Sequence, residues 1–241
     1  MPIRIEIVPE TGSTSADLLG RLALREPLPE GTWLVAERQS AGRGRQGRSW
    51  LDAPGNFMGS TVVHLAAQDP PPATLSFVAA LATYEAVLIT LGAPLTLQLK
   101  WPNDLLLGGA KLAGILLERA GDAAVIGIGV NLAASPELSD RPARHLAQHG
   151  PAPDRDSFAR ELAAFFDREV GRWRQFGLEP LFARWLAAAH PIGSTLSVHG
   201  SDGIPVSGSF AGLEADGALR LRLADGTVRA IHAGDVTLEG T

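Results

Sequence analysis

The sequence predicts an α+β protein, a mixed β-sheet backed by helices with a small β-barrel at its C-terminal end. Two observations carry the first part: strand-like runs arranged as hairpins alternate with helical patterns, and a long apolar helical stripe lies around residues 156–176. A third carries the barrel: from Gly193 onward short alternating runs are punctuated by Asp202-Gly203, Asp216-Gly217 and Asp225-Gly226, each a hairpin signal. The boundary is expected near residue 191, giving domains 1–190 and 191–241.

Arg4 to Val8 alternates like a strand. Gly12-Ser13-Thr14-Ser15 then leads into a helical pattern of Leu18, Leu19 and Leu22 that Pro27 stops, so Ser13 to Ser15 lie at a helix N-terminus. Thr32 to Glu37 reads as a buried strand, and a second strand returns over Phe57 to Leu65. After Pro70-Pro71-Pro72, Leu75 to Leu91 has helical spacing, with Gly92 just beyond as its terminator. Leu95 to Trp101 reads as a strand. Leu105 to Leu107, Gly108-Gly109 and Leu112 to Leu117 form a hairpin pattern, with Ala124 to Val130 as the next strand. A long helix follows, with Asp156 as the expected N-cap, Phe158, Leu162, Phe165, Phe166, Val170 and Trp173 on its core stripe, and Gly177 closing it. A shorter helix spans Pro180 to Ala189.

Composition bounds the function. With 241 residues, 45% of them hydrophobic, the chain can bury a substantial core. A net charge of -5 gives no general attraction to nucleic acid or to an anionic membrane, so any polyanion must be met by a local patch. The absence of cysteine removes disulfides and thiolate metal sites, and His64, His145, His149, His190, His199 and His232 show no metal-ligand spacing. The N-terminus lacks a signal pattern, and Phe77 to Leu91 is interrupted by Thr83, Glu85 and Thr90. A cytoplasmic protein with no membrane segment is the expectation. Of the 21 basic residues only Lys100 and Lys111 are lysine, which points to places where a compact ammonium is needed.

Gly42-Arg43-Gly44-Arg45-Gln46-Gly47 formally matches a dinucleotide-binding fingerprint and follows a strand. Its context does not fit, because Ser49-Trp50-Leu51-Asp52-Ala53-Pro54-Gly55 is turn-like where a helix should open. Three arginines among glycines suit instead a movable loop that meets phosphates or carboxylates through planar donors. Lys100-Trp101-Pro102-Asn103-Asp104, followed by Lys111, adds an amide, a carboxylate and two ammonium groups on neighbouring strands. Such a set offers a metal or base group beside charges that stabilise a developing oxyanion. Taken singly, the loop also reads as a solvated basic segment and Asn103-Asp104 as an ordinary turn.

In order and spacing, "GSTS" at 12–15, "QSAGRGRQGRSW" at 39–50, "KWPNDLLLGGAKLAGILLE" at 100–118 and "GIGVNL" at 127–132 resemble biotin protein ligases. The resemblance implies a catalytic domain like that of class II aminoacyl-tRNA synthetases and an SH3-like C-terminal barrel. It implies that biotin and ATP, with Mg2+, form biotinyl-5'-AMP and pyrophosphate, and that biotin then passes to one lysine of a biotin carboxyl carrier protein such as that of acetyl-CoA carboxylase. Matched by position, Ser13, Thr14 and Gln39 would hold the ureido head, and Gly42, Gly114 and Ile115 would line the biotin pocket. Arg43 and Arg45 would lie by the biotin carboxylate and adenylate phosphate, Arg48 by the ATP phosphates and Trp50 against adenine. Asn103, Asn131 and Ala143 would belong to the nucleotide end. Lys111 would be the principal catalytic residue, joined by Arg45 and by Asp104, which would ligate Mg2+ or help deprotonate the acceptor lysine. Ser15 stands where the family commonly has Asn, and Lys100 has a simpler reading as the partner of a surface carboxylate.

The resemblance also implies a ligase without repressor function, since no N-terminal DNA-binding segment precedes Ile3, and it admits either a monomer or a homodimer. Two other readings are a lipoate-type acyl-adenylate ligase on the same fold and an Arg-Gly nucleic-acid-binding module. The first is expected to lack the arginine-glycine loop with its trailing tryptophan. Against the second stand the acidic net charge and the single tyrosine.

Overall fold

The computed structural model describes residues 3–91, 96–137, 142–199 and 205–238. Gly92, Leu95 and Asp202-Gly203 lie outside the described residues.

Seven strands form the first sheet: β1 (Arg4–Thr11), β2 (Thr32–Gln39), β3 (Phe57–His64), β4 (Leu97–Lys100), β5 (Asp104–Leu107), β6 (Ala110–Ala120) and β7 (Ala123–Val130). Their spatial order is β1-β2-β3-β7-β6-β5-β4, parallel only between β1 and β2. The parallel pair requires a crossover, and α1 (Thr14–Ala23) supplies it. The β5–β6 turn is Gly108-Gly109 with both φ values positive, 55° and 78°, which suits a two-residue hairpin.

Side chains alternate across this sheet. Trp33, Val35, Ala124, Ile126 and Ile128 enter the large core with α2 (Leu75–Leu91), α3 (Arg155–Phe176) and α4 (Leu178–Ala188). Leu34, Val62 and Val125 point to the opposite face and pack with Leu18 of α1 and Leu28. That second face is only partly covered, and Gly127 and Gly129, in step with Val125, open onto it. Pro72–Leu91 is long and apolar enough to cross a membrane by length and composition alone, but most of it is buried inside the protein. Its residues Leu75, Val78, Ala79, Ala82 and Val87 belong to the core.

Two helix boundaries differ from the sequence reading. The N-cap of α3 is Asp154, which accepts from the Ser157 backbone N–H at 2.8 Å, while Asp156 falls in the first turn and pairs with Arg155. Either aspartate suits the positive end of the helix, and only chain geometry chooses between them. Helix α4 starts before Pro180, whose missing N–H costs no bond in a first turn. Gly177, at φ 73°, separates the two helices.

The C-terminal strands β8 (Thr195–His199), β9 (Pro205–Leu213), β10 (Leu219–Arg222), β11 (Val228–Ile231) and β12 (Asp235–Leu238) form an antiparallel sheet in the order β11-β10-β9-β8-β12. Among the described residues no β11–β12 pairing closes it into the barrel expected from the sequence. The Asp216-Gly217 turn docks this sheet against the first sheet and its helices: the Trp101 indole N–H donates to the Gly217 carbonyl at 3.1 Å. A Cβ on Gly217, which has φ 89°, would lie 2.9 Å from the Phe77 ring. Glycine is therefore required there both for φ and for space.

Candidate active site

A cavity of about 940 Å³ opens on the face of the first sheet that carries α1, with the 40–50 loop on one side and β12 on the other. All the residues assigned from the sequence line it except Gly42, which borders a smaller recess of about 310 Å³ across the loop.

One end is a closed set of neutral hydrogen-bonding groups. Ser13 caps α1, so the next two residues enter the helix with their side chains over the sheet. The Gln39 side-chain oxygen accepts from the Thr14 backbone N–H at 2.8 Å and from its hydroxyl at 3.1 Å. Ser60, fully buried in β3, stands 2.7 Å from the Thr14 hydroxyl and 2.8 Å from that of Ser15. A Cβ on Gly127 would come within 2.4 Å of the Ser15 hydroxyl, so the short side chain at 15 and the glycine on β7 fit together. The sequence reading missed Ser60. Its only signal is the small polar run Gly59-Ser60-Thr61 inside an otherwise apolar strand.

The loop folds back on itself. The Trp50 N–H donates to the Gly42 carbonyl at 2.9 Å, and the Gly44 N–H to the Arg48 carbonyl at 2.7 Å. A Cβ on Gly42 would sit 2.4 Å from the Trp50 carbonyl oxygen, so this glycine shapes the loop. The Trp50 indole then lies on the sheet over Gly114 and Gly129, register partners on β6 and β7. A Cβ at Gly129 would be 2.3 Å from its Cε2 and one at Gly114 3.0 Å from its Cζ3. The indole N–H is buried with no hydrogen-bond partner among the described residues, a donor turned to the cavity.

The three loop arginines diverge. Arg43 reaches Glu118 at 2.6 Å, Arg48 reaches Asp235 on β12, and Arg45 donates to the Asn103 side-chain oxygen at 3.1 Å. Burial pulls the Arg45 guanidinium below its ordinary value, against the opposing pull of Asp235 and Asp104; it stays charged, as arginine does.

At the other end Asp104 begins β5, buried between two ammonium groups. Lys111 Nζ stands 2.5 Å from its Oδ1 and Lys100 Nζ 3.2 Å from its Oδ2. Burial alone would raise the Asp104 pKa, but the two lysines outweigh it and hold the carboxyl below its ordinary value. Lys100 is thus not the partner of a surface carboxylate. Both Asp104 oxygens are paired with ammonium groups, so Mg2+ or an acceptor proton would reach the carboxylate only by displacing one of them; among the described residues no group of three His, Cys, Asp or Glu adds further metal ligands. The Asn103 side-chain N–H donates to the Ile115 carbonyl at 2.6 Å, which fixes the β5 start against β6. Asn131 donates to the Arg144 carbonyl at 3.0 Å, and Ala143 bridges to Lys111 through the backbone, bringing both to the same end.

A neutral hydrogen-bonding end, an apolar glycine floor and a cationic end make a site for an amphipathic carboxylic acid whose carboxylate meets a second anion. The model of the Biotin/lipoate A/B protein ligase family matches residues 10–131, and that of the Biotin protein ligase C terminal domain matches residues 198–238. The Biotin--[acetyl-CoA-carboxylase] ligase of Paracoccus denitrificans is 37% identical, over 95% of this chain and 98% of the relative. That of Mycobacterium tuberculosis is also 37% identical, over 97% and 88%. A solved biotin protein ligase from Aquifex aeolicus, in complex with biotin and ATP, has a TM-score of 0.85 at 24% identity, over 99% of both chains, and shares the fold. The chain belongs to the biotin/lipoate protein ligase family, on its biotin protein ligase branch.

Proposed function

We infer that this protein is an ATP-dependent biotin protein ligase acting on the carboxyl carrier of acetyl-CoA carboxylase. In the first step a biotin carboxylate oxygen bonds to the α-phosphorus of ATP and the bond to pyrophosphate breaks, giving biotinyl-5'-AMP. In the second, an acceptor lysine amine attacks the acyl carbon, AMP leaves with the bonding pair, and the ammonium proton is lost as the amide forms.

The observation that carries this reading is the Lys100–Asp104–Lys111 cluster with Arg45 at its edge, next to the glycine floor under Trp50. A carboxylate and a triphosphate repel each other, and the ammonium of Lys111 together with the Arg45 guanidinium offsets that repulsion most where charge builds in the transition state. Ser13, Thr14, Gln39 and Ser60 suit the ureido head, which needs both donors and acceptors. The strand face of Gly114 and Ile115 suits the apolar part of biotin, while Trp50 offers a flat face to adenine and, with Arg48, Asn103, Asn131 and Ala143, serves the nucleotide side. Mg2+ would travel on the triphosphate, since Asp104 is occupied. The lack of cysteine supports a cytoplasmic setting.

Incubation with biotin, ATP and a carrier domain tests the reading. One biotin on one carrier lysine is expected; a carrier modified by lipoate but not by biotin would move the protein to the sister branch of the family.

A further inference from the structure

Asp235 and Val236, consecutive residues at the start of β12, each touch the cavity from the C-terminal sheet. Arg48 Nη2 donates to both Asp235 oxygens, at 2.6 and 2.8 Å, across 187 residues of sequence. Lys100 Nζ donates to the Val236 carbonyl at 2.9 Å, and the same ammonium pairs with Asp104, which pairs with Lys111. One strand of the second sheet therefore holds the arginine-glycine loop through a charge and the lysine cluster through a backbone carbonyl.

The two holds differ in kind. Val236 is 4% exposed, and its carbonyl contact is part of the docked interface. The Arg48–Asp235 pair is open to water, with side-chain exposures of 36% and 39%, so it is weak and exchangeable. Asp235 also adds a negative charge to the lining of a cavity that the proposed reaction fills with a triphosphate. Arg48 Nη2 is already engaged by both Asp235 oxygens, so a phosphate oxygen that takes Nη2 displaces them, and a triphosphate brings more negative charge to the guanidinium than one carboxylate does.

We propose that Asp235 is a positioning residue that works as an exchangeable latch: it holds Arg48, and through it the loop, against the C-terminal sheet until the triphosphate of ATP takes the arginine over. The C-terminal sheet is thereby a competitor for Arg48 during nucleotide entry. This rests on the reading that Arg48 meets the ATP phosphates.

The test is the KM for ATP in biotin-dependent pyrophosphate exchange, measured for the full chain and for Asp235→Asn, Asp235→Glu, Arg48→Ala and the Arg48→Ala/Asp235→Asn double variant. Asp235→Asn is expected to lower the KM for ATP by about two- to five-fold, the range open to an exposed ion pair. It should also speed tryptic cleavage at the loop arginines when no nucleotide is added. Asp235→Glu, which keeps the charge, should stay near the parent, and the Asn substitution should have no effect once Arg48 is alanine. An unchanged or raised KM in Asp235→Asn overturns the latch, as does an equal effect with and without Arg48, which would mean simple charge repulsion. An Arg48→Ala variant with the parent KM would instead overturn the underlying placement of Arg48 at the phosphates.

Discussion

Lys111 and Asp104 face each other across the β5–β6 hairpin with Nζ and Oδ1 2.5 Å apart, and Lys100 closes on the other carboxylate oxygen. Each lysine keeps Asp104 ionised, and Asp104 in turn fixes the direction of Lys111, whose ammonium also lies 5.8 Å from the centre of the Trp50 ring. The charge that the reaction needs is therefore pre-positioned before either anion arrives.

Lys111→Ala should slow adenylate formation by about 100- to 1000-fold, the loss typical of a preorganised charge aimed at a developing anion. Single-turnover formation of biotinyl-5'-AMP measures it. A parent-like rate would remove Lys111 from the chemistry.

Asp104→Asn leaves two partly buried ammonium groups without their carboxylate and should destabilise the fold by about 1–3 kcal/mol at neutral pH. The sign of the pH dependence follows from the lowered folded-state pKa. The contribution is complete above the unfolded carboxylate value of about 3.9 and is lost as the pH falls below it. Urea unfolding from pH 7 to pH 3 should show the gap between parent and variant begin to narrow below about pH 4, and a constant gap would contradict the account.

His190 supplies a second acid-sensitive group. Its ring is buried against Phe210 and its pKa is pushed down to about 4, chiefly by burial. A depressed histidine binds fewer protons folded than unfolded, so its stabilising share is present above about 6.5 and is lost as the pH falls from there to about 4. His190→Phe should flatten the stability profile in that window. An unaltered slope would place the titration elsewhere.

Gly129→Ala places a methyl group where the Trp50 ring lies. Overpacking of this kind costs the fold about 1–3 kcal/mol unless the indole moves away, and a displaced indole should weaken ATP binding by about ten-fold. Calorimetric titration with ATP in the presence of biotin checks it, and unchanged affinity would show that the indole position is irrelevant to the nucleotide.

The loop from Ser40 to Trp50 is expected to gain protease protection when biotin and ATP are both present, because ligand contacts favour the closed arrangement. Equal cleavage rates with and without them would contradict loop closure.

Much of this site was legible because its residues come in short runs. Ser13-Thr14 announces a helix start, Gly108-Gly109 a hairpin, and the 39–50 and 100–118 segments carry most of the cationic end. What the sequence hid depends on strands meeting far along the chain. Ser60 matters because β3 lies beside α1, and Lys100 because Asp104 is buried next to it. Nothing near Asp235 signals Arg48, and the choice of Asp154 over Asp156 as the α3 cap turns on backbone direction that both aspartates satisfy by type.

The most direct test is exchange of pyrophosphate into ATP by the parent protein and by Lys111→Ala, with biotin, with lipoate and with no acid. Biotin-dependent exchange that Lys111→Ala lacks, with none from lipoate, is the predicted result. Exchange that is independent of biotin, or that survives in Lys111→Ala at the parent rate, would contradict the account.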